Sequence, residues 1–202
     1  ELRQKAAVYI NSDGNSRGFL QAAGSHSLEH FVNEVARSVE DPETKGTVWK
    51  RWQAHQIADG SPEVRAESRS RVDLRIEALG SGSDYTPFLH HHGTPSLNLS
   101  FGGFDSDGIY HSIYDDPFHY KKFSDPGMQY GRALSQFVGT AVIRLADATI
   151  LPCEFNGLAD QLAMHQKERL FNHLPQVDSV ALGLLSAQHV AQPADDRSGP
   201  FV

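Results

Sequence analysis

Residues 79–118 read LGSGSDYTPFLHHHGTPSLNLSFGGFDSDGIYHSIYDDPF, and this stretch decides the fold and the location of the candidate site. It combines a Gly/Ser turn, an isolated acidic residue, a short apolar run and a Tyr-His pair. The apolar run at residues 96–101 follows Gly93 and Pro95 and predicts a buried strand. An ordinary packing segment does not need so many polar groups around one strand, whereas loops that carry chemistry do.

A second strand is predicted upstream, at residues 5–11 (KAAVYIN), where an apolar run ends in Ser-Asp-Gly. Asp13 follows this strand directly. In α/β sheets, ligands bind in the crevice beyond the carboxyl ends of the strands. A carboxylate at this point can bind a metal, but Asp before Gly is also a common turn pair. The two polar segments together suggest a divided metal site.

Apolar residues at spacings of three and four predict amphipathic helices between the strands. The first of these helices has Ser27 as its cap and stops at Asp41-Pro42. Its buried stripe consists of Leu28, Phe31, Val32, Val35 and Val39. A second, short helix is predicted at residues 47–54, and a polar, exposed connection at residues 59–70.

The most strongly patterned helix follows Asp125, the predicted cap, and Pro126, the predicted first helical residue. Its apolar stripe consists of Leu134, Phe137, Val138, Ala141, Val142 and Leu145. Residues 84–91 are also predicted to be helical and to end at Gly93. Strands that alternate with helices indicate an α/β layer architecture.

A different region begins after Leu151-Pro152. Residues 158–170 and 179–190 predict two amphipathic helices joined by a turn at Pro175, and residues 191–202 predict a frayed tail. The last fifty residues are therefore interpreted as a helical appendage to the α/β part.

The composition excludes several classes of function. A formal net charge of -7, with no Lys/Arg-rich run, argues against a nucleic-acid partner. The single cysteine, Cys153, excludes an internal disulfide. The chain has no apolar run of membrane-spanning length. It begins with Glu1, inside a secondary-structure element, so we interpret it as part of a longer polypeptide.

His111 is a candidate zinc ligand because neutral imidazole commonly binds zinc. A neighbouring carboxylate, Asp115 or Asp116, could orient the second ring nitrogen. The alternative is a histidine packed against Tyr114 and Phe118. The triplet at residues 90–92 is interpreted as a set of exposed helix-end histidines, because adjacent side chains on a helix point in different directions.

Two other kinds of site have little support in the sequence. A Ser-His-Asp hydrolase is conceivable, but the chain contains no G-x-S-x-G motif. The GSGSD segment is not a P-loop, because no Gly-Lys-Ser/Thr follows it.

With these residues in hand, the chain resembles the zinc peptidases of the glutamate carboxypeptidase II and transferrin-receptor group. The segments that carry the resemblance are AAVYINSDGNSRG, LGSGSDYTPFLHHHGTPSLNLSFGG, YHSIYDDPFHY and SDPGMQYGRALSQFVGTAVIRLADATILPCEF. The resemblance covers residues 6–155. It implies that residues 1–155 are the carboxyl-terminal part of a zinc peptidase domain with a three-layer α/β/α aminopeptidase-like fold. Residues 156–202 resemble the start of the group's helical dimerisation domain.

The resemblance also implies roles for individual residues. Asp13 matches an aspartate ligand to one of two zinc ions, and His111 matches a histidine ligand to the other. Tyr110 matches the tyrosine that stabilises the oxyanion. Ser81 and Gly82 match substrate contacts. Asn98 and Ser100 fall where members that cleave acidic dipeptides carry two arginines, so we expect the acidic preference to be lost.

One departure from the group's pattern affects activity. The remaining zinc ligands and the general-base glutamate of the group lie before the first strand, and this chain does not contain them. A two-metal hydrolase needs both ions and a group that takes a proton from the attacking water. We therefore expect the 202-residue polypeptide alone to be inactive and to bind zinc poorly.

The parent protein implied by the resemblance is a di-zinc carboxypeptidase that acts on small peptides. It is expected to be a homodimer. It is also expected to be exported, or to be anchored to a membrane by a segment that lies outside this chain. Two alternatives remain open. One is a non-catalytic, transferrin-receptor-like binding or scaffold protein, and the other is an aminopeptidase of the same superfamily.

Overall fold

The computed structural model describes residues 1–104 and 109–173, which form a mixed α/β structure. The chain divides into two compact units, Glu1–Leu158 and a second unit that begins at Ala159. In chain order the elements are α1 (Leu2–Lys5), β1 (Tyr9–Asn11), β2 (Gly18–Gly24), α2 (Glu29–Ser38), α3 (Val48–Asp59), α4 (Pro62–Ser70), β3 (Ser96–Gly103), α5 (Pro117–His119), α6 (Gln129–Ala146) and α7 (Asn156–His173). A 3₁₀ turn at His26–Leu28 precedes α2, and π-helical turns lie at Pro87–His92 and Tyr120–Ser124.

The three strands form one sheet in the order β1-β3-β2. β1 pairs with β3 in parallel, with Asn11 opposite Asn98. β2 pairs with β3 in the antiparallel direction, with Leu20 opposite Phe101. The mixed α/β class is thus confirmed, and β3 begins at Ser96 as the sequence predicts.

The two faces of the sheet differ because side chains alternate along a strand. On β3, Leu97, Leu99 and Phe101 are buried in the core. Asn98 and Ser100 point to the opposite face and are only partly buried. The sheet therefore has one apolar face and one polar face, and the polar face carries residues of the candidate site.

Two predictions about the strands need correction. The first strand is shorter than residues 5–11, because residues 2–5 form the helical turn α1 and only Tyr9–Asn11 pair with β3. The strand β2 is absent from the sequence-based prediction. Its sequence, GFLQAAG, is rich in glycine and alanine, which have weak strand propensity.

All five residues of the predicted stripe are buried. Phe31, Val32 and Val35 lie within α2, and Leu28 and Val39 flank its two ends. Ser27 is not its cap, because it lies within the 3₁₀ turn that precedes α2. The helix α3 starts after Thr47, whose side chain accepts a hydrogen bond from the backbone N–H of Lys50 at 3.2 Å. It runs to Asp59 and is longer than predicted.

Residues 59–70 are mostly exposed, as predicted, but they are not an irregular connection, because Pro62–Ser70 form the helix α4. Ser61 caps this helix by accepting a hydrogen bond from the backbone N–H of Val64 at 3.3 Å. Proline occupies the first helical position, where its missing N–H costs nothing. The sequence of α4 is mostly polar, so apolar periodicity does not reveal this helix.

Asp125 organises the start of α6, although the helix begins at Gln129 and Pro126 is not its first residue. The carboxylate of Asp125 accepts hydrogen bonds from the backbone N–H groups of Gln129, Tyr130 and Gly131 at 2.9–3.0 Å. Helix amino termini leave such groups without intrahelical partners, so this contact stabilises the first turn. The N-cap residue is Met128, so the predicted cap position is wrong, but the Asp125 side chain satisfies the free N–H groups of the first turn.

The apolar stripe of α6 is buried only in part. Phe137 and Ala141 are buried, Leu134, Val138 and Leu145 are partly buried against the core, and Val142 is 49% exposed. The prediction that Val142 belongs to the buried stripe is therefore wrong.

Several predictions fall on residues that the structure does not describe. They are the turn at Pro175, the helix at 179–190 and the tail at 191–202. The predicted helix at 158–170 lies within α7. Among the described helices, none combines the length and the apolar character that a membrane span requires.

Candidate functional site

Asp13 lies just beyond the carboxyl end of β1 and is exposed to solvent. One carboxylate oxygen accepts a hydrogen bond of 2.6 Å from the Ser83 hydroxyl, and the other accepts one of 3.1 Å from the Asn98 side-chain amide. Both oxygens are thereby fixed in direction. A simple Asp-Gly turn does not require hydrogen bonds to both carboxylate oxygens.

The same contacts alter the acidity of Asp13. Interactions with Ser83 above all, and then with the nearby Asn11 amide and with Asn98, lower the pKa of the Asp13 carboxyl below its ordinary value. Hydrogen bonds donated to a carboxylate favour the charged form. Asp13 is therefore ionised at neutral pH, as a metal ligand must be.

Asn11 joins the groups around Asp13 into a network. Its side-chain amide lies 3.1 Å from the Ser83 hydroxyl and 3.2 Å from the Asn98 side-chain oxygen. The Tyr9 hydroxyl donates to the Asn11 side-chain oxygen at 3.3 Å. The parallel pairing of β1 and β3, with Asn11 opposite Asn98, places these amides side by side.

Ser83 and Asn11 are members of the site that the sequence does not predict. Asn11 lies two positions before Asp13, and side chains two positions apart on a strand point to the same face. This alternation is the sequence pattern that could have predicted Asn11. Ser83 belongs to the GSGSD turn, but its contact with Asp13 spans 70 positions of sequence. No local pattern predicts such a contact.

A shallow pocket of about 270 Å³ adjoins this network on the polar face of the sheet. Its lining residues are Gln21, Ala22, Ala23, Glu77, Asn98 and Ser100. The Ser100 hydroxyl donates to the Gln21 side-chain oxygen at 3.1 Å. Asn98 thus lines the pocket and also donates a hydrogen bond to Asp13. Asn98 and Ser100, the two predicted substrate-binding residues of β3, lie together in this pocket.

Ser81 and Gly82 lie in the exposed turn that leads to Ser83. Gly82 has a φ of 102°, a conformation that side chains rarely adopt, and its N–H donates to the Thr86 hydroxyl at 3.1 Å. The turn therefore needs glycine at this position. The substrate contacts expected of Ser81 and Gly82 remain predictions.

Tyr110 and His111 stack on each other with ring centroids 3.8 Å apart. Both are exposed, so the alternative of a histidine packed against Tyr114 and Phe118 is wrong. His111 has a φ of 61°, which is uncommon for a residue other than glycine. Strained conformations of this kind cluster at functional sites.

The convergence of His111 with Asp13 remains a prediction. Within the described ranges, neither Tyr110 nor His111 forms a hydrogen bond or a ring contact with Asp13. Asp116, one of two carboxylates expected to orient His111, instead caps α5 by accepting a hydrogen bond from the backbone N–H of His119 at 2.8 Å.

Protein zinc sites use three or four His, Cys, Asp or Glu ligands. Among residues 1–104 and 109–173, no group of three or more such side chains is placed to hold a metal ion. Asp13 has the exposure, the charge and the supporting hydrogen bonds of a ligand. The described residues therefore fit a contribution to a zinc site but do not fit a complete one.

The histidine triplet ends the π-helical turn Pro87–His92, and Gly93 follows with a φ of 70°. His90 and His91 are exposed, as predicted, whereas His92 is half-buried and lies beside the Phe88 ring. His90 contacts the backbone carbonyl of Gly80 at 2.9 Å and so ties this turn to the turn that contains Ser81.

Comparison with known proteins gives several relatives of one kind. A probable glutamate carboxypeptidase, LAMP1 of Arabidopsis thaliana, is 32% identical over 164 residues, which cover 80% of this chain and 22% of the relative. A glutamate carboxypeptidase 2 homolog of Caenorhabditis briggsae is 29% identical over 196 residues, 91% of this chain and 23% of the relative. This chain is homologous to the glutamate carboxypeptidases.

The relatives of this chain are not all named for the same activity. The aminopeptidase NAALADL1 of Rattus norvegicus is 24% identical over 176 residues, 80% of this chain and 22% of the relative. No protein-family model matches the chain. The chain spans about a fifth of the length of these curated relatives.

Proposed function

We propose that this chain forms part of a zinc-dependent exopeptidase that removes the carboxyl-terminal residue of small peptides. The observation that carries the proposal is the Asp13 carboxylate, which Ser83 and Asn98 hold at the edge of parallel strands in a homologue of glutamate carboxypeptidases. Ligand sites of α/β sheets lie at this edge.

The proposed architecture follows from the same homology. Residues 1–155 belong to a peptidase domain with three α/β/α layers, and residues 156–202 belong to a helical dimerisation domain. The partner in solution is a second copy of the whole protein, and the substrate is a small peptide. The negative charge of the chain gives no support for a nucleic-acid partner.

The residues of this chain have distinct proposed roles. Asp13 and His111 each bind one of two zinc ions, and other residues of the site supply the remaining ligands and the general base. Zinc, when bound, acts as a Lewis acid and lowers the pKa of a water molecule. Ser83 and Asn98 hold the Asp13 carboxylate in one orientation. Tyr110, which is 78% exposed, donates a hydrogen bond from its hydroxyl to the oxyanion that develops on the scissile carbonyl.

The pocket beside Asp13 contributes to the choice of substrate. Asn98 and Ser100 are uncharged, and the described lining of the pocket contains no lysine or arginine. An acidic side chain placed in it finds no cation to pair with. We therefore propose that a strict acidic preference is absent.

Aminopeptidase activity is a second candidate, because a relative bears that name. Peptides blocked at one end separate the two activities, since blocking the recognised terminus prevents cleavage. Cleavage of amino-blocked but not of carboxyl-blocked peptides supports the carboxypeptidase, and the reverse result supports the aminopeptidase. A non-catalytic receptor predicts no cleavage and a zinc content near zero.

The decisive experiment compares Asp13→Asn with Asp147→Asn in the natural polypeptide that carries this chain. Asp147 is an exposed aspartate at the end of α6, outside the Asp13 network, and serves as the control. Mutation of groups that support metal ligands typically costs about 10–100-fold in metal affinity or activity. Because Asp13 is a proposed ligand itself, we expect Asp13→Asn to reduce the zinc content and to lower kcat/KM at least ~100-fold. Equal zinc content and equal turnover in both variants would contradict the proposal.

A further inference from the structure

We propose that Glu77 makes the pocket beside Asp13 selective for a substrate residue that carries a positive charge. This inference rests on the proposed peptidase function and adds a substrate class to it. The volume, about 270 Å³, suits one amino-acid side chain better than a larger ligand. Among the described lining residues only Glu77 is ionisable, and the others have amide, hydroxyl or alanine side chains.

The position of Glu77 is fixed by the sheet. Its backbone N–H donates to the Ala22 carbonyl at 2.9 Å, and its carbonyl accepts from the Gly24 N–H at 2.8 Å. Residue 77 therefore lies alongside β2 and forms an isolated parallel bridge with Ala23. A residue held by two backbone hydrogen bonds presents its side chain to the pocket from a rigid base.

The charge of Glu77 is not neutralised by its neighbours. The side chain is exposed, and in the part of the chain that the structure describes it forms no ion pair. The two arginines of the same segment are already paired: Arg71 with Glu29 at 2.7 Å, and Arg75 with Glu67 at 2.7 and 2.9 Å. The pocket is thus electronegative.

This charge lies next to the residue that orients Asp13. Asn98 lines the pocket and donates to Asp13 at 3.1 Å. With Asp13 as a ligand of the proposed zinc site, a side chain in the pocket belongs to a residue adjoining the cleaved bond. An ammonium or guanidinium group there pairs with Glu77 and donates to the Gln21 or Asn98 side-chain oxygen. A carboxylate there is repelled by Glu77 and gains no cation.

The test measures kcat and KM of the natural polypeptide for three peptides that differ only in the residue before the cut: Lys, Gln or Glu. We expect the Lys peptide to have the highest kcat/KM, mainly through a lower KM. Glu77→Gln should lower the Lys-to-Glu ratio of kcat/KM about three-fold, and Glu77→Lys about ten-fold or more, as for partly exposed charge pairs. Glu63→Gln, an exposed glutamate of α4 outside the pocket, should leave the ratio unchanged.

The possible outcomes distinguish this inference from the function on which it rests. If the wild type cleaves peptides but both Glu77 variants keep its Lys-to-Glu ratio, the inference is wrong and the peptidase function stands. If the folded, zinc-loaded wild type cleaves none of the three, both are wrong. Calorimetry with non-cleavable reduced-amide versions of the peptides gives a readout without turnover, and equal affinity of wild type and Glu77→Lys for the Lys analogue also overturns the inference.

Discussion

The Ser83 hydroxyl donates a 2.6 Å hydrogen bond to the Asp13 carboxylate across 70 positions of sequence. It is the largest cause of the lowered pKa of Asp13. Together with Asn11, it connects the turn before the π-helical segment to the end of β1. The candidate site is therefore built by two loops that a short polar network holds together.

Removal of that hydroxyl should raise the pKa of Asp13. Ser83→Ala leaves Asn98 as a donor to Asp13 but removes the largest lowering contact, so the pKa of Asp13 should move up toward its ordinary value. An NMR pH titration of the Asp13 carboxyl carbon measures the shift. Ser83→Thr keeps the hydroxyl and is the control, and an unchanged pKa in Ser83→Ala would show that the contact is unimportant.

The lowered pKa of Asp13 also makes the free energy of unfolding depend on pH, because the folded and unfolded states bind the Asp13 proton with different affinity. A lowered carboxyl pKa contributes stability above the unfolded-state pKa, and this contribution is lost as the pH falls through the folded-state pKa. Because Asp13 is largely exposed, we expect the effect of Ser83→Ala on unfolding at pH 7 to be at most about 0.5 kcal/mol.

His30 should make the stability depend on pH in the opposite direction. Its hydrogen bond to Asp73, at 2.7 Å, is the main cause of a raised pKa, and Glu34 and Glu154 add to it. The stabilisation is complete below the unfolded-state value of 6.5 and is lost as the pH rises through the folded-state pKa. Since the side chain is 39% exposed, solvent screening limits the effect to about 1 kcal/mol or less.

The measurement is urea unfolding of wild type and His30→Gln at about pH 5.5 and about pH 8.5, on either side of the ordinary histidine pKa. The substitution should destabilise the protein more at the lower pH. The environment of His30 also contains Arg37, which pairs with Asp73, and Arg144, which pairs with Glu34, and these charges are present in both proteins. His90→Gln, which removes an exposed histidine that contacts the backbone carbonyl of Gly80, is the control. An equal loss at both pH values would contradict the expected direction.

Two substitutions on α6 test which face of the helix is buried. Phe137 is fully buried and Val142 is 49% exposed. Phe137→Ala should cost about 3–5 kcal/mol of unfolding free energy, because it removes a core side chain and leaves a cavity. Val142→Ala should change stability by less than about 0.5 kcal/mol. Similar losses in the two variants would mean that α6 packs on the core through a different face.

Two glycines offer a matched test of the β2–β3 contact. Gly18 has a φ of 147°, and a Cβ there would lie 2.0 Å from the Gly102 carbonyl oxygen. Gly18→Ala should therefore destabilise the protein by at least about 2 kcal/mol. Gly14→Ala meets nothing within 4 Å and should be close to neutral. Thermal unfolding of both variants checks this, and a neutral Gly18→Ala would contradict the close approach.

Local patterns in the sequence are sufficient to predict the strand β3, the buried stripe of α2 and the location of Asp13 at a strand end. They are insufficient for β2, whose place depends on antiparallel pairing with β3 rather than on its own propensity. They also miss α4, whose signal is the cap formed by Ser61 and Pro62 rather than an apolar stripe.

Within the site, chain-distant contacts set the limit of prediction from sequence. Asp13 and Asn98 are both predicted site residues, but their hydrogen bond depends on the register that places Asn11 opposite Asn98. Glu77 is not predicted at all. Its position depends on backbone pairing with Ala22 and Gly24, which leaves no mark in the residues around it.

The alternation of side chains along β3 separates folding from recognition. Positions 98 and 100 can change their chemistry without disturbing Leu97, Leu99 and Phe101, which point the other way. One strand can thus vary the lining of the proposed substrate pocket by substitution on one side only. Insertion of a single residue, by contrast, would turn the core residues to the polar face and the pocket residues to the core. It would disrupt the packing of the core and the pocket together.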